Sequence, residues 1–244
     1  MTGRRSDGWR VARCTASATG LLDPWPPAGD DDTAVVRASR VSGRAALVLG
    51  STQDDAPIDV ARAAVVGVDI ARRTTGGGAV LVAPQAQVWL DVWLPRDDRL
   101  WDDDIITAAA WLGDAWVAAL ESLGAGSLVV HRGSSTSAAM SDVVCFAGLG
   151  PGEVYIEDGP SHRTKVMGLA QRRTRRGARF HTTAPLAWDP GPLLDLLGVG
   201  RPDEQVASLW DVAVGQRALL RSLAGVSDVE LIGVVEDAVI AALP

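Results

Sequence analysis

The chain has 244 residues, 47% apolar and 22% charged, with 26 glycines and a formal charge of −7. That length buries a sizeable core as one large domain or a domain with an appendage, and the mixed composition excludes a collagen-like or low-complexity chain. No apolar run reaches the roughly 18 residues of a membrane span, and no apolar stretch follows the basic residues of the first ten positions, so a cytoplasmic protein that makes no membrane contact is expected.

The first 33 residues are rich in Pro, Gly, Asp and Ser and predict an arm with little regular structure, with Trp9 and Trp25 available to pin it down. From Ala34, short apolar runs bounded by Gly, Pro and Asp predict strands at 35–37, 45–50, 68–71, 79–82 and 88–94, with helical composition at 59–66. A helix is expected between Trp101 and Gly124, capped by Asp102 or Asp103. Its stripe of Ile105, Ala109, Leu112, Trp116, Leu120 and Leu123 falls on one face, and Trp111 and Trp116 read as packing residues. Further strands are predicted at 127–130, 142–147, 153–156, 165–170 and 178–183. After Pro185 the pattern becomes helical, at 193–197, 205–213, 216–223 and from Ser227, where Ser227 and Glu230 stand at capping-box spacing. The expected division is an arm (1–33), a mixed-sheet domain (34–185) and a helical appendage (186–244).

The cations carry a sharper signal. Of the 23, one alone, Lys165, is a lysine. The abundance of Ala, Gly, Val, Asp and Arg indicates a drift that replaced lysine by arginine wherever either charge serves. A site that needs a compact donor deep in a pocket cannot take the wide guanidinium fork.

Arg72-Arg73-Thr74-Thr75-Gly76-Gly77-Gly78-Ala79-Val80 joins an apolar run to a strand. Three consecutive glycines let the backbone approach a ligand, and exposed amides with two guanidiniums suit a phosphate or carboxylate. The spacing is neither a Walker P-loop nor the dinucleotide fingerprint. From Arg163 to Arg179 there are seven cations and no acid, in an acidic chain; the block implies an anionic partner or a well-solvated hairpin tip. Nucleic acid is not expected as that partner, because the rest of the chain is strongly acidic and no aromatic residues interleave the arginines. Cys145, before a glycine-rich turn, is either a thiol nucleophile or a small buried hydrophobe. Cys14 and Cys145 give no disulfide framework, which fits a reducing compartment. His131, His162 and His181 are too scattered for a metal site, and none is predicted. Gln53 and Asp59 are minor candidates at strand ends.

Together these motifs, in this order, resemble the lipoate-protein ligase and octanoyltransferase family, related to biotin protein ligases, over about residues 44–186. Arg72 to Val80 is similar to the family's Arg-Arg-x-Ser-Gly-Gly-Gly-Ala-Val loop, with Thr75 where serine is usual. Lys165, Gly168, Ala170 and Gln171 resemble its Lys-x-x-Gly-x-Ala-Gln strand, and Gly177 with His181 its return strand. The resemblance implies an α/β fold with a mixed, largely antiparallel sheet of the biotin/lipoate ligase type, flanking helices, and an acyl tunnel under the glycine loop. For a ligase it implies ATP and magnesium, an acyl-adenylate of lipoate or octanoate, and transfer to a lysine of a lipoyl-carrier domain. Lys165 would then hold the acyl carbonyl and phosphate, loop amides with Arg72 or Arg73 the phosphate side, and the basic strip the acidic carrier.

Two positions depart from the pattern: Val82 stands where ligases carry histidine, and Thr182 follows His181 where glycine is usual. Val144-Cys145-Phe146 is similar to the nucleophile segment of certain octanoyltransferases. That implies an alternative in which Cys145 takes an acyl group from an acyl carrier protein, without ATP or another cofactor. A noncatalytic acyl-binding relative is the third expectation.

Overall fold

The computed structural model describes all residues except 1, 5–7, 24, 26–31, 55–57, 139, 158, 160–161 and 200–203. Its strands are β1 (Thr2–Arg4), β2 (Arg10–Ser17), β3 (Val35–Ser42), β4 (Ala46–Leu49), β5 (Asp69–Arg72), β6 (Val80–Val82), β7 (Gln87–Pro95), β8 (Val129–Val130), β9 (Val154–Glu157), β10 (Arg163–Arg173) and β11 (Gly177–Pro185). Eight of them form one sheet in the order β1-β2-β3-β7-β11-β10-β9-β8, and β5-β4-β6 form a second. Every pairing is antiparallel except β2 with β3 and β4 with β5. The helices are α1 (Val60–Val66), α2 (Ala110–Ser122), α3 (Gly191–Leu196), α4 (Glu204–Ala207), α5 (Gln216–Leu219) and α6 (Asp228–Ala242). The result is the mixed, largely antiparallel α/β architecture expected. No helix among the described residues is long and apolar enough to cross a membrane.

The core is organised around β7, whose side chains alternate between the two faces of the large sheet. Val88, Leu90, Val92 and Leu94 share a cluster with Leu112, Trp116 and Leu120 of α2 and Leu231, Val235 and Val239 of α6. On the opposite face Trp89 packs with Ala46, Val48 and Val82 of the small sheet. The large sheet is thus covered by helices on one side and by the small sheet on the other. The C-terminal helix α6, opened by the Ser227–Glu230 capping box, belongs to the main core.

The structure departs from the sequence reading in four places. Arg10–Ser17, predicted as part of a loose arm, is a strand parallel to β3, while 1, 5–7, 24 and 26–31 of that arm lie outside the described residues. Helix α2 starts at Ala110 rather than after Trp101. Asp102 and Asp104 accept from the amides of Asp104 and Ile106, and such local turns compete with helix, leaving Ile105 exposed. Residues 142–147 form turns and a 3₁₀ segment, Cys145–Ala147, instead of a strand. The predicted helices at 205–213 and 216–223 shorten to α4 and α5, each followed by a 3₁₀ segment.

Candidate active site

The glycine loop runs from β5 to β6, and each of its last two glycines has a distinct reason. Gly77 has φ +93°, a conformation side chains rarely adopt, and a Cβ on Gly78 would meet the Val144 backbone at 2.7 Å. That close approach stitches the loop to the next segment: Ala79 N donates to Val143 O at 2.8 Å and Cys145 N to Ala79 O at 3.1 Å. The two arginines hold the loop from behind. Arg73, buried, donates to the carbonyls of Gly76 (2.7 Å), Gly78 (2.8 Å) and Val48 (3.3 Å), and Arg72 to those of Gly50 and Gln53. Expected to face a phosphate, both guanidiniums are instead engaged by backbone carbonyls, and neither lines the large cavity in front of the loop. Gln53 likewise serves the backbone, bonding Gly50 N and Val143 O. Asp59 caps α1 through Arg62 N.

Lys165 enters the same place from β10. A register shift between Lys165 and Met167 re-aims this stretch of strand, as bulges beside functional sites do. Gly168 leaves the space: a Cβ there would sit 3.4 Å from Lys165 Cε and 3.5 Å from the Phe146 ring. On the far side the chain from the C-terminal half runs alongside, with Lys165 N donating to Val212 O and Val214 N to Lys165 O. The side chain is 2% exposed. Its ammonium donates to Cys145 O and Gly148 O, each at 3.0 Å, lies 2.7 Å from Glu153 Oε2, and sits 5.0 Å from the Phe146 ring centre.

Glu153 is the residue that sequence reading missed. Buried to 3% exposure, its carboxylate also accepts from Gly150 N (2.6 Å) and Leu169 N (2.9 Å). The available signal was a lone acid closing the glycine-rich turn before an apolar strand, which is indistinguishable from an ordinary solvated turn.

Loop, Cys145 segment and lysine enclose a cavity of about 600 Å³, whose wall includes Thr75 to Gly78, Cys145, Glu153, Lys165, Ala170 and Gln171. Two of its polar atoms are buried without a partner: the Thr75 hydroxyl and Gln171 Oε1, whose amide nitrogen donates to Ile105 O. Cys145 is half-buried in this wall. Ala79 is buried behind the loop, and Gly168 lines a small adjoining cavity of about 30 Å³ rather than the large one.

His181 also borders that small cavity, together with Trp89 and Thr183. Its Nδ1 lies 2.5 Å from Asp91 Oδ1, and Asp91 also meets Arg37 at 2.6 Å, Arg179 at 3.1 Å and the Trp89 indole N–H at 3.2 Å. Complete burial pushes the Asp91 carboxyl up, but His181, Arg179 and Arg37 together pull it further, well below the usual carboxylate range. For His181 burial outweighs the attraction of Asp91 and lowers its pKa, favouring the neutral ring. His131 is tied to Ser134 O, and no group of three or more metal-ligating residues gathers among the described residues.

Comparison with known proteins agrees with this fold. No curated protein matches the chain. Among solved structures, the bipartite lipoate protein ligase from Thermoplasma acidophilum, described with its E2 lipoyl domain, superposes with a TM-score of 0.63 at 20% identity, over 95% of this chain and 81% of that one. A lipoate-protein ligase A bound with ATP gives 0.64 at 19% identity, over 95% and 82%. A putative lipoate protein ligase from T. acidophilum with bound lipoic acid gives 0.61 at 20%, over 86% and 71%. The family model for the lipoyl protein ligase A/B catalytic domain matches residues 33–221, and the chain belongs to that family.

Proposed function

We propose that the chain joins lipoate or octanoate to a lysine of a lipoyl-carrier domain by way of an acyl-adenylate. In the first step a carboxylate oxygen of the acid attacks the α-phosphorus of ATP and pyrophosphate leaves. In the second the carrier amine attacks the acyl carbon, AMP leaves and the amine gives its proton to solvent. Negative charge gathers on the phosphoryl oxygens in the first step and on the acyl oxygen in the second, and a fixed cation in a water-poor wall beside both groups stabilises it.

The observation that carries this reading is the Lys165 ammonium, buried in the wall of the large cavity beside the glycine loop. Its three protons already have partners in the chain, so a substrate oxygen takes the place of a carbonyl, Cys145 O or Gly148 O. The unpartnered Thr75 hydroxyl and Gln171 Oε1 offer the ligand a donor and an acceptor. ATP, lipoic acid and a lipoyl domain are named with the structural relatives, which supports the same substrates and partner here. Magnesium fits a wall that offers few ligands, with Glu153 engaged by Lys165 and Asp142 its other carboxylate, because this ion keeps water and takes phosphate oxygens. Bound there, it supplies charge neutralisation on the phosphates.

Cys145 favours a second reading, since it lies in the same wall with its carbonyl on the ammonium. Its thiolate would attack an octanoyl thioester and release the carrier thiol, and the target amine would then attack the Cys145 thioester. One pair of assays separates the readings. Octanoate or lipoate with ATP and magnesium is expected to release pyrophosphate and leave Cys145 unmodified. No pyrophosphate, with an octanoyl adduct on Cys145 after exposure to octanoyl carrier protein, would replace the ligase by the transferase.

A further inference from the structure

The Lys165 ammonium stands in a wall shared by two cavities. One is the 600 Å³ space under the glycine loop; the other, about 540 Å³, is lined by Phe146, Arg163, Ser208 and Asp211 and not by the loop. A flexible four-carbon stem at such a junction has two directions in which to point, and only one faces the loop. Two of its acceptors are neutral carbonyls. Gly148 lines both cavities, and Cys145 lines the loop-side one alone. Glu153 also lines the loop-side cavity and not the other, and it differs from the carbonyls in charge: among the described residues it is the only charged partner of the ammonium.

Glu153 is itself held. Gly150 N and Leu169 N fix one oxygen each, so the carboxylate is tied both to the turn that follows the Cys145 segment and to β10 beyond the lysine. A charge anchored by two backbone amides cannot follow the ammonium if the ammonium moves; it can only draw it back. We infer that Glu153 is a positioning residue for the acyl-transfer reaction, one that keeps the lone ammonium of the chain on the loop side of the two-cavity junction. It acts through Lys165 and needs no contact with substrate.

This inference rests on the proposed acyl transfer for its kinetic consequence but not for its geometric one, and the test separates the two. Because the chain contains a single lysine, protein grown on ¹⁵N-lysine gives one side-chain ammonium signal, which reports on Lys165 alone. In the wild type that signal is expected to persist in slow exchange. In Glu153→Gln it is expected to shift and to exchange with water faster, while the dispersion of the one-dimensional amide proton spectrum is kept. In acyl-adenylate formation from octanoate, Glu153→Gln is expected to lower kcat by about 10- to 100-fold, a typical cost of removing a supporting partner, with KM for the acid changed less than about threefold. Glu153→Asp keeps the charge one methylene further back and is expected to fall between the two; it is the variant to read if the glutamine protein does not fold. An ammonium signal that is the same in the variants and the wild type would overturn the inference, as would a loss confined to KM. A wild-type protein inactive with both acids would instead remove the proposed function and leave the ammonium signal to decide the role of Glu153.

Discussion

The backbone of Gly78 lies so close to that of Cys145 that a β-carbon on the glycine would stand 2.8 Å from the Cys145 amide nitrogen. This contact, rather than loop flexibility, couples the glycine loop to the segment whose carbonyls hold Lys165. Gly78→Ala is therefore expected to push the two segments apart, costing about 1–3 kcal/mol in denaturant unfolding, the usual range for overpacking. Gly76 meets nothing within 4 Å, and Gly76→Ala is expected to stay within about 0.5 kcal/mol of wild type. Equal losses in the two variants would show that the contact does not govern the loop.

The Lys165–Glu153 pair is buried on both sides, so breaking it exposes an uncompensated charge. Lys165→Met is expected to cost about 3–5 kcal/mol, and adding Glu153→Gln to recover most of that loss. Neither protein is expected to form acyl-adenylate at more than about a hundredth of the wild-type rate. Strictly additive stability losses would mean that the two side chains are not coupled.

Glu236 of α6 supplies a pH signature. Burial raises its carboxyl to about 6, against the opposing pull of Arg40 at 3.0 Å and Arg13 at 3.6 Å. The folded protein therefore takes up a proton before the unfolded chain does. As pH falls from about 6 toward the ordinary value of 4.5, this group adds up to about 2 kcal/mol of stability, and above pH 6 it adds none. The buried His181 acts in the opposite sense, losing stability as pH falls below its ordinary 6.5. The wild-type minus Glu236→Gln difference across this range isolates the carboxyl: it is expected to grow in favour of the wild type by about 2 kcal/mol on acidification. A difference that does not change with pH would contradict the assignment.

Asp91 predicts the opposite behaviour at lower pH. Its depressed pKa stabilises the fold above the ordinary 3.8, and that stability is lost as the carboxyl is forced to protonate in stronger acid. Asp91→Asn leaves Arg37 and Arg179 without their counter-charge and is expected to lower stability at pH 7 by about 3–5 kcal/mol. Thermal melts of the two proteins from pH 7 down to pH 2 are expected to keep their gap to about the ordinary 3.8 and to narrow only below it; a gap that stays constant to pH 2 would refute the role.

What the sequence revealed and what it hid divide along physical lines. Lys165 stood out because one ammonium survived among guanidiniums, and the triglycine loop because consecutive glycines have few structural excuses; both are properties of local text. Asp91 was invisible because its partners come from register. Arg37 and His181 stand directly opposite it on β3 and β11, 54 residues away in the first case, and no local pattern carries that pairing. Arg72 and Arg73 were legible as a motif but not in orientation, since the carbonyls they bond are set by how the loop closes. The strand at Arg10–Ser17 was hidden by its charged and small residues, which half-burial against β3 tolerates and simple hydrophobic counting does not.

The most direct measurement follows the lone ammonium while ligand binds. Protein labelled with ¹⁵N-lysine is titrated with a nonhydrolysable octanoyl-sulfamoyl adenosine, and binding is recorded in parallel by calorimetry. The side-chain signal of Lys165 is expected to move and to saturate at the calorimetric stoichiometry, as a ligand oxygen replaces one of its carbonyl partners. A signal that stays in place while calorimetry records binding would contradict the claim that this ammonium serves the acyl group.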